Sequence, residues 1–241
     1  MQGATKSSGT IPKPTAATTV GTKRRAVSKR AATRKRRNVK LRFSGLVYVA
    51  LCCGIGGEII GFARAGIKCR AFWDICHLCV HIVSQYCDGL PITDTVHSNK
   101  VVPWLNNQFA THVVTASFPC TANTTLNPGA TKNDPAHKIA ISAVRRAIEL
   151  CALVIVLENV PAMATRKSSS RTYKTILKIF RDAGYATRSY VMDSNRCGGL
   201  TARRRLIICA STLNNGLLDS LRQLELTLEA SPRTPMRAWQ G

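Results

Sequence analysis

The 241-residue chain is 45% hydrophobic and 20% charged, enough apolar material for one sizeable core and, at ~100–200 residues per domain, little room for a second. Its 35 Lys and Arg against 12 Asp and Glu give a formal net charge of +23, so the expected partner is a polyanion. Nucleic acid is favoured over an anionic membrane surface, because no long apolar run or signal-peptide core precedes the basic block.

A soluble, intracellular protein is expected. The ten cysteines read as reduced and mostly buried small hydrophobes, since disulfide frameworks belong to short secreted chains. Residues 1–42 hold 13 basic residues and no acid, too little apolar surface to offset the entropy of ordering, so a disordered arm is expected. Its clusters Lys23-Arg24-Arg25, Lys29-Arg30 and Arg34-Lys35-Arg36-Arg37 have the pattern of a nucleic-acid tether or a bipartite nuclear import signal, with a merely solubilising tail as the plainer reading. Without the arm, 22 basic residues still face 12 acidic ones, so the folded part is basic in its own right.

From residue 46 apolar β-rich runs alternate with helical patterns, which predicts an α/β protein of βαβ units with a largely parallel sheet. A first strand, 46–51, runs into Cys52-Cys53-Gly54-Ile55-Gly56-Gly57-Glu58 and a helix over 57–65 capped by Gly66. Glycines at such a strand-to-helix turn let a nucleotide approach the backbone, although a structural tight turn has the same composition. A second strand, 68–73, ends at Asp74, twenty residues after Gly54 and suited to accept from ribose hydroxyls. The helix expected over 75–87 would bury Ile75, Leu78, Cys79, Ile82 and Tyr86.

A third strand, 111–116, delivers Ser117-Phe118-Pro119-Cys120-Thr121 to the edge of the sheet where ligands bind in open α/β folds. A helix over 136–151 leads to a fourth strand, 153–157, followed by Glu158-Asn159-Val160-Pro161, with Glu158 expected to be buried and able to donate a proton. A helix over 171–183 capped by Gly184, strands over 187–192 and 205–210, and an amphipathic segment 216–229 with Leu217, Leu218, Leu221, Leu224 and Leu228 complete the pattern. The expected division is a basic arm 1–42, a catalytic domain 43–212 and a C-terminal helix and tail 213–241.

Gly54-Ile55-Gly56-Gly57, Phe118-Pro119-Cys120, Glu158-Asn159-Val160 and Arg203-Arg204-Arg205-Leu206-Ile207-Ile208, in this order on successive strand ends, resemble the signature motifs of the S-adenosylmethionine-dependent cytosine-5 DNA methyltransferases. The resemblance spans about residues 46–212 and implies a Rossmann-like, doubly wound class I methyltransferase fold. It implies that Cys120 attacks C6 of cytosine so that C5 takes the methyl group, that Glu158 hydrogen-bonds the base, and that Arg203 and Arg205 position base and carboxylate. Cofactor contacts carried over in the same way are Ile55, Gly56 and Gly57 at the turn, Asp74 at the ribose, Ile75 and Asp94 at the adenine, and Pro119 beside the nucleophile. DNA is the implied substrate and RNA the alternative, and the target base has to leave the stack to reach the thiol.

The chain departs from the family pattern at Cys52, where an aromatic residue is usual, and at Thr121 and Thr201, where Gln is usual. With no Gly-Asn motif near residue 241 and little sequence after Ala210, the resemblance implies a short form without a target-recognition domain, completed by a second chain or reduced to a remnant. A non-catalytic nucleic-acid-binding protein on the same fold is the chief rival. A zinc site at Cys76-His77-Leu78-Cys79-Val80-His81 is disfavoured because all ligands would come from one helix, so no metal is expected. A nicotinamide enzyme would leave the Cys120 and Glu158 motifs without a role.

Overall fold

Parallel strands buried on both faces read as continuous apolar runs, and Tyr48–Leu51 (β1) is such a run, with all four residues buried. In the computed structural model, which describes residues 45–124, 127, 129, 131, 133–213 and 216–230, β1 is an interior strand of a seven-stranded sheet. The other strands are Cys69–Asp74 (β2), Leu90–Thr93 (β3), Val113–Ala116 (β4), Val154–Asn159 (β5), Ala186–Asp193 (β6) and Arg204–Ser211 (β7). The order is β3-β2-β1-β4-β5-β7-β6. β1 to β5 pair in parallel, and β7 runs antiparallel between β5 and β6. The α/β fold with a largely parallel, doubly wound sheet is therefore as expected. The basic arm 1–42 lies outside the described residues.

Helices cover both faces: Gly57–Arg64 (α1), His77–Ser84 (α2), Val101–Gln108 (α3), Pro135–Glu149 (α4), Ala162–Thr165 (α5), Ser170–Asp182 (α6) and Gly216–Ala230 (α7). The two-residue period of β1 divides the core. Val49 and Leu51 face a large cluster with Trp73, Leu105, Val144, Ile155, Ile176 and Phe180 from α3, α4, α6 and the neighbouring strands. Tyr48 and Ala50 face a smaller one with Ile59, Phe72, Val80 and Val83 under α1 and α2. Tyr48 stacks on Phe62 with ring centroids 4.5 Å apart, and its hydroxyl shares a 2.8 Å hydrogen bond with Thr115. Gly66 and Gly184 take φ of +80° and +83° just beyond α1 and α6, the left-handed conformation their positions predicted.

Three local expectations need correction. β3 and α3 were not expected from the sequence: β3 contains Pro91, which is tolerated because the strand is at the sheet's edge, and Pro103 is the third residue of α3, where a backbone donor has no helical partner anyway. α2 begins two residues later than expected and buries Val80 and Val83, leaving Ile75, Leu78, Ile82 and Tyr86 exposed. Only Cys53, Cys69 and Cys209 of the ten free thiols are buried, while Cys76, Cys120, Cys151 and Cys197 are exposed. On α7, Leu217, Leu218 and Leu221 are half-buried and Leu224 is exposed; the Leu228 side chain lies outside the described residues.

Candidate active site at the carboxyl edge of the sheet

The parallel strands β1, β2, β4 and β5 all end at one edge, and antiparallel β7 begins there. The first turn at that edge, 52–56, is tightly wound. Cys52, Gly54 and Gly56 have φ of +51°, +52° and +77°, and Gly56 N donates to the Cys53 carbonyl at 2.8 Å. A Cβ on Gly56 would stand 2.2 Å from Tyr86 Oη and 3.0 Å from Val83 Cγ2, so only glycine fits between turn and α2. The Tyr86 hydroxyl donates to the Ile55 carbonyl, which ties the turn to the end of α2.

Asp74, at the end of β2, accepts from Gly54 N at 2.8 Å through Oδ2 and from Cys76 N at 2.9 Å through Oδ1. It thus joins the β1 and β2 turns, and each carboxylate oxygen keeps a lone pair for a further donor. Asp94 follows β3; its Oδ1 accepts from Thr95 N at 2.7 Å and its carbonyl from Trp73 Nε1 at 2.8 Å. Ile55 and Ile75 stand 65% and 72% exposed beside these acids, and Gly57 opens α1. Gly54 has open space where a side chain would be. A glycine turn, carboxylates for hydroxyl donors and exposed aliphatic side chains for an aromatic base together fit a nucleoside cofactor, and the negative charge suits a cationic one.

Glu58, in the first turn of α1, is the carboxyl that burial affects most: desolvation, with the charges of Glu158 and Asp74 adding to it, raises it from 4.5 to about 7. Its Oε1 is buried without a hydrogen-bond partner. Burial, reinforced by Asp74 and Glu58, also pushes the Cys52 thiol up to about 12 and that of Cys53 higher. Both are therefore neutral thiols at physiological pH.

After β4 the chain turns at Phe118, which is buried, and exposes Pro119 and Cys120. Two amides, Asn123 N and Thr124 N, each donate to the Cys120 carbonyl at 2.8 Å. This loop is fastened to the end of β5 by Asn159, which is buried: its Nδ2 donates to the Phe118 carbonyl at 3.1 Å, and its Oδ1 accepts from Asn123 Nδ2 and Val160 N, both at 3.0 Å. Arg166 holds the far side of the loop, donating to the carbonyls of Thr124 at 2.6 Å and Asn127 at 2.7 Å. Buried amide networks of this kind fix a loop because each lost partner leaves a costly unpaired group.

Glu158 is not fully buried as expected; its side chain is 33% exposed and paired with Arg205, Nε to Oε1 at 2.6 Å. The pairing follows from register, since Asn159 lies opposite Leu206 across β5 and β7. Arg203 lies before β7, on an exposed turn where its N–H donates to Ser194 Oγ at 3.2 Å. The two arginines therefore do not share a strand. Glu158, Arg205 and Cys120 gather at one end of the sheet with the glycine turn, Asp74 and Pro119, while Arg203 sits beyond them. Asn123, Asn159, Arg166 and Glu58 are parts of this edge that the candidate residues omitted; Asn159 had a signal in its own motif, and the other three had none. Among the described residues no group of three or more His, Cys, Asp or Glu side chains is arranged to hold a metal ion.

The C-5 cytosine-specific DNA methylase family matches residues 47–228. Similar solved structures include a protein described as a DNA modification methyltransferase encoded within an E. coli prophage, 18% identical over 73% of this chain and 48% of that one, with a TM-score of 0.60. The Entamoeba histolytica methyltransferase EhMeth is 20% identical over 69% and 53% of the two chains, with a TM-score of 0.57. S. pombe Dnmt2 methyltransferase is 16% identical over 79% and 57%, also at 0.57. The chain thus spans about half the length of these solved chains, and at such identities the likeness concerns the fold. No curated protein sequence matches it.

Proposed function

Because the chain belongs to the C-5 cytosine-specific DNA methylase family, we propose that it methylates C5 of cytosine in DNA through a covalent bond to Cys120. The observation that carries this reading is the juxtaposition at one sheet edge of an exposed thiol on an anchored loop with a carboxylate held by an arginine. S-adenosylmethionine, when bound, supplies an electrophilic methyl group. The side chains that would hold it are those of Ile55, Asp74, Ile75 and Asp94, with the backbone of Gly56 and Gly57 and the ring of Pro119.

Cys120, as thiolate, adds to C6 of an extruded cytosine, and the electron pair displaced onto the ring makes C5 nucleophilic. Glu158 faces the pyrimidine edge and hydrogen-bonds N3 and the exocyclic amine, stabilising the charge that develops there. Arg205 keeps that carboxylate in place, and Arg203 extends the positive rim toward the substrate. Asn159 and Arg166 act through the loop that carries Cys120 and are positioning residues.

Nucleic acid as the polymer is supported by the charge of +23 and by a groove of about 590 Å³ between α4 and α6, lined by His97, Lys138, Arg145 and Arg171 among others. Phosphate contacts of this sort supply binding energy that can offset unstacking of the target base. Residues 1–42 would add a basic tether to the catalytic domain 43–212. Among the described residues no helix is long and apolar enough to cross a membrane.

The test is adduct trapping. A strand bearing 5-fluorocytosine, which cannot lose a proton from C5 after methyl transfer, is expected to stay bonded to Cys120 through denaturation, with the linkage absent in Cys120→Ala. A stable adduct on another cysteine, or none with cofactor demonstrably bound, would contradict the reading.

A further inference from the structure

The groove between α4 and α6 gathers cations that no acid neutralises. Lys138 and Arg145 line it from α4 and Arg171 from α6; all three are exposed, and among the described residues none is in an ion pair. No described carboxylate lines it. The acids at the two ends of α4 are already engaged: Asp134 Oδ1 accepts from Ala136 N at 2.9 Å, and Glu149 pairs with Arg146 at 2.6 Å. Like charges held along one groove repel one another, and a polyanion laid between them relieves that repulsion.

One end of the groove adjoins the Cys120 loop. α4 and α6 both start at the carboxyl edge of the sheet, so Lys138 and Arg171, in their first turns, stand at the end nearest Cys120. His137 Nε2 shares a 3.2 Å hydrogen bond with the Thr131 carbonyl, which fastens the segment after Cys120 to that end. His97 Nδ1 shares one of 2.8 Å with Ser142 Oγ, which holds the loop after β3 against the α4 wall. Lys138 and Arg145 are seven residues apart, hence on one face of α4 and about 10 Å apart along its axis. That is about three phosphate steps along one strand of B-DNA, at about 3.4 Å each. Single-strand binders add aromatic side chains on which bases stack; no Phe, Tyr or Trp among the described residues lines this groove.

We propose that the groove seats the phosphate backbone of duplex DNA flanking the target cytosine, with Lys138, Arg145 and Arg171 each neutralising one phosphate. The proposal rests on the reading of DNA as the substrate and adds where the paired flank is held. Phosphate contacts fix register and orientation without reading bases, so the groove acts on duplexes of any sequence. It binds the helix on both sides of extrusion, and the catalytic edge alone meets the flipped base.

The experiment follows fluorescence anisotropy of the full chain on a short labelled duplex, and on one of its strands, across a salt series without S-adenosylmethionine. Lys138→Ala/Arg145→Ala/Arg171→Ala is set beside Arg64→Ala/Lys68→Ala/Arg222→Ala, which removes equal charge from exposed positions outside the groove, and urea unfolding shows that both variants fold. The groove variant is expected to lower the duplex slope of log affinity against log salt by about 2.7, at about 0.9 per lost contact. Its duplex affinity is expected to fall about tenfold near physiological salt, with a much smaller loss on the single strand. The other variant is expected to stay close to the parent on both. Equal losses in the two variants, or equal losses on duplex and single strand, would overturn the proposal. Because the titration needs no turnover, its result is read separately from the catalytic reading, which stands or falls on methyl transfer and the Cys120 adduct.

Discussion

Glu58 is the residue whose ionisation the fold alters in a testable direction. Its carboxyl rises from 4.5 to about 7 because burial penalises the anion and Glu158 and Asp74 repel it. Between those values the native state holds a proton that the unfolded chain has lost, so stability falls as pH rises through the window from about 4.5 to 7. At ~1.4 kcal/mol per unit, the loss is on the order of 3 kcal/mol. Glu58→Gln is expected to flatten that fall and to be more stable than the parent above pH 7, as measured by urea unfolding at pH 5 and pH 8. The places of Cys120, Glu158 and Arg205 in the fold were legible in the sequence, because Cys120 follows β4, Glu158 is near the end of β5 and Arg205 is near the start of β7, all at the same sheet edge. Glu58 was not, since nothing local distinguishes it from an ordinary first-turn acid; its shift arises first from burial and then from Glu158 and Asp74, which come from β5 and β2. Arg166 was equally hidden, because the carbonyls it holds belong to residues about forty positions earlier.

At the scale of elements, the junction between the β4 loop and the end of β5 sets where Cys120 stands. Asn159→Ala removes three hydrogen bonds and leaves the Phe118 carbonyl and the Asn123 amide buried, each at a cost of about 1–3 kcal/mol. The variant is expected to unfold at lower denaturant concentration and to lose methyl transfer through misplacement of the loop. Asn159→Asp, which keeps the acceptor while losing the donor to Phe118, should fall between the two. The sheet's central strands could be read from unbroken apolar runs such as Tyr48–Leu51, whereas β3 and α3 are short and contain proline, so tertiary position rather than local pattern decides them. The face of α2 was misjudged for a related reason: the Asp74–Cys76 bridge delays the start of the helix to His77, and Val80 and Val83 take the buried side.

Over the whole molecule, the dominant property is charge. Residues 1–42 carry 13 of the 35 basic residues, and each phosphate they neutralise steepens the fall of log affinity with log salt by about 0.9 for duplex DNA. Deleting them is expected to lower that slope by several units in a fluorescence-anisotropy titration while leaving residual, salt-dependent binding from the folded part. The C-5 cytosine-specific DNA methylase family matches residues 47–228, so the chemistry is expected to reside there even without the arm. The most direct measurement is transfer of a labelled methyl group from S-adenosylmethionine to cytosine-containing DNA and, in parallel, to RNA, with Cys120→Ala beside the parent protein. Transfer to DNA that disappears in the variant is the expected result; transfer only to RNA would move the substrate to the other polymer, and transfer that survives in Cys120→Ala would contradict the account.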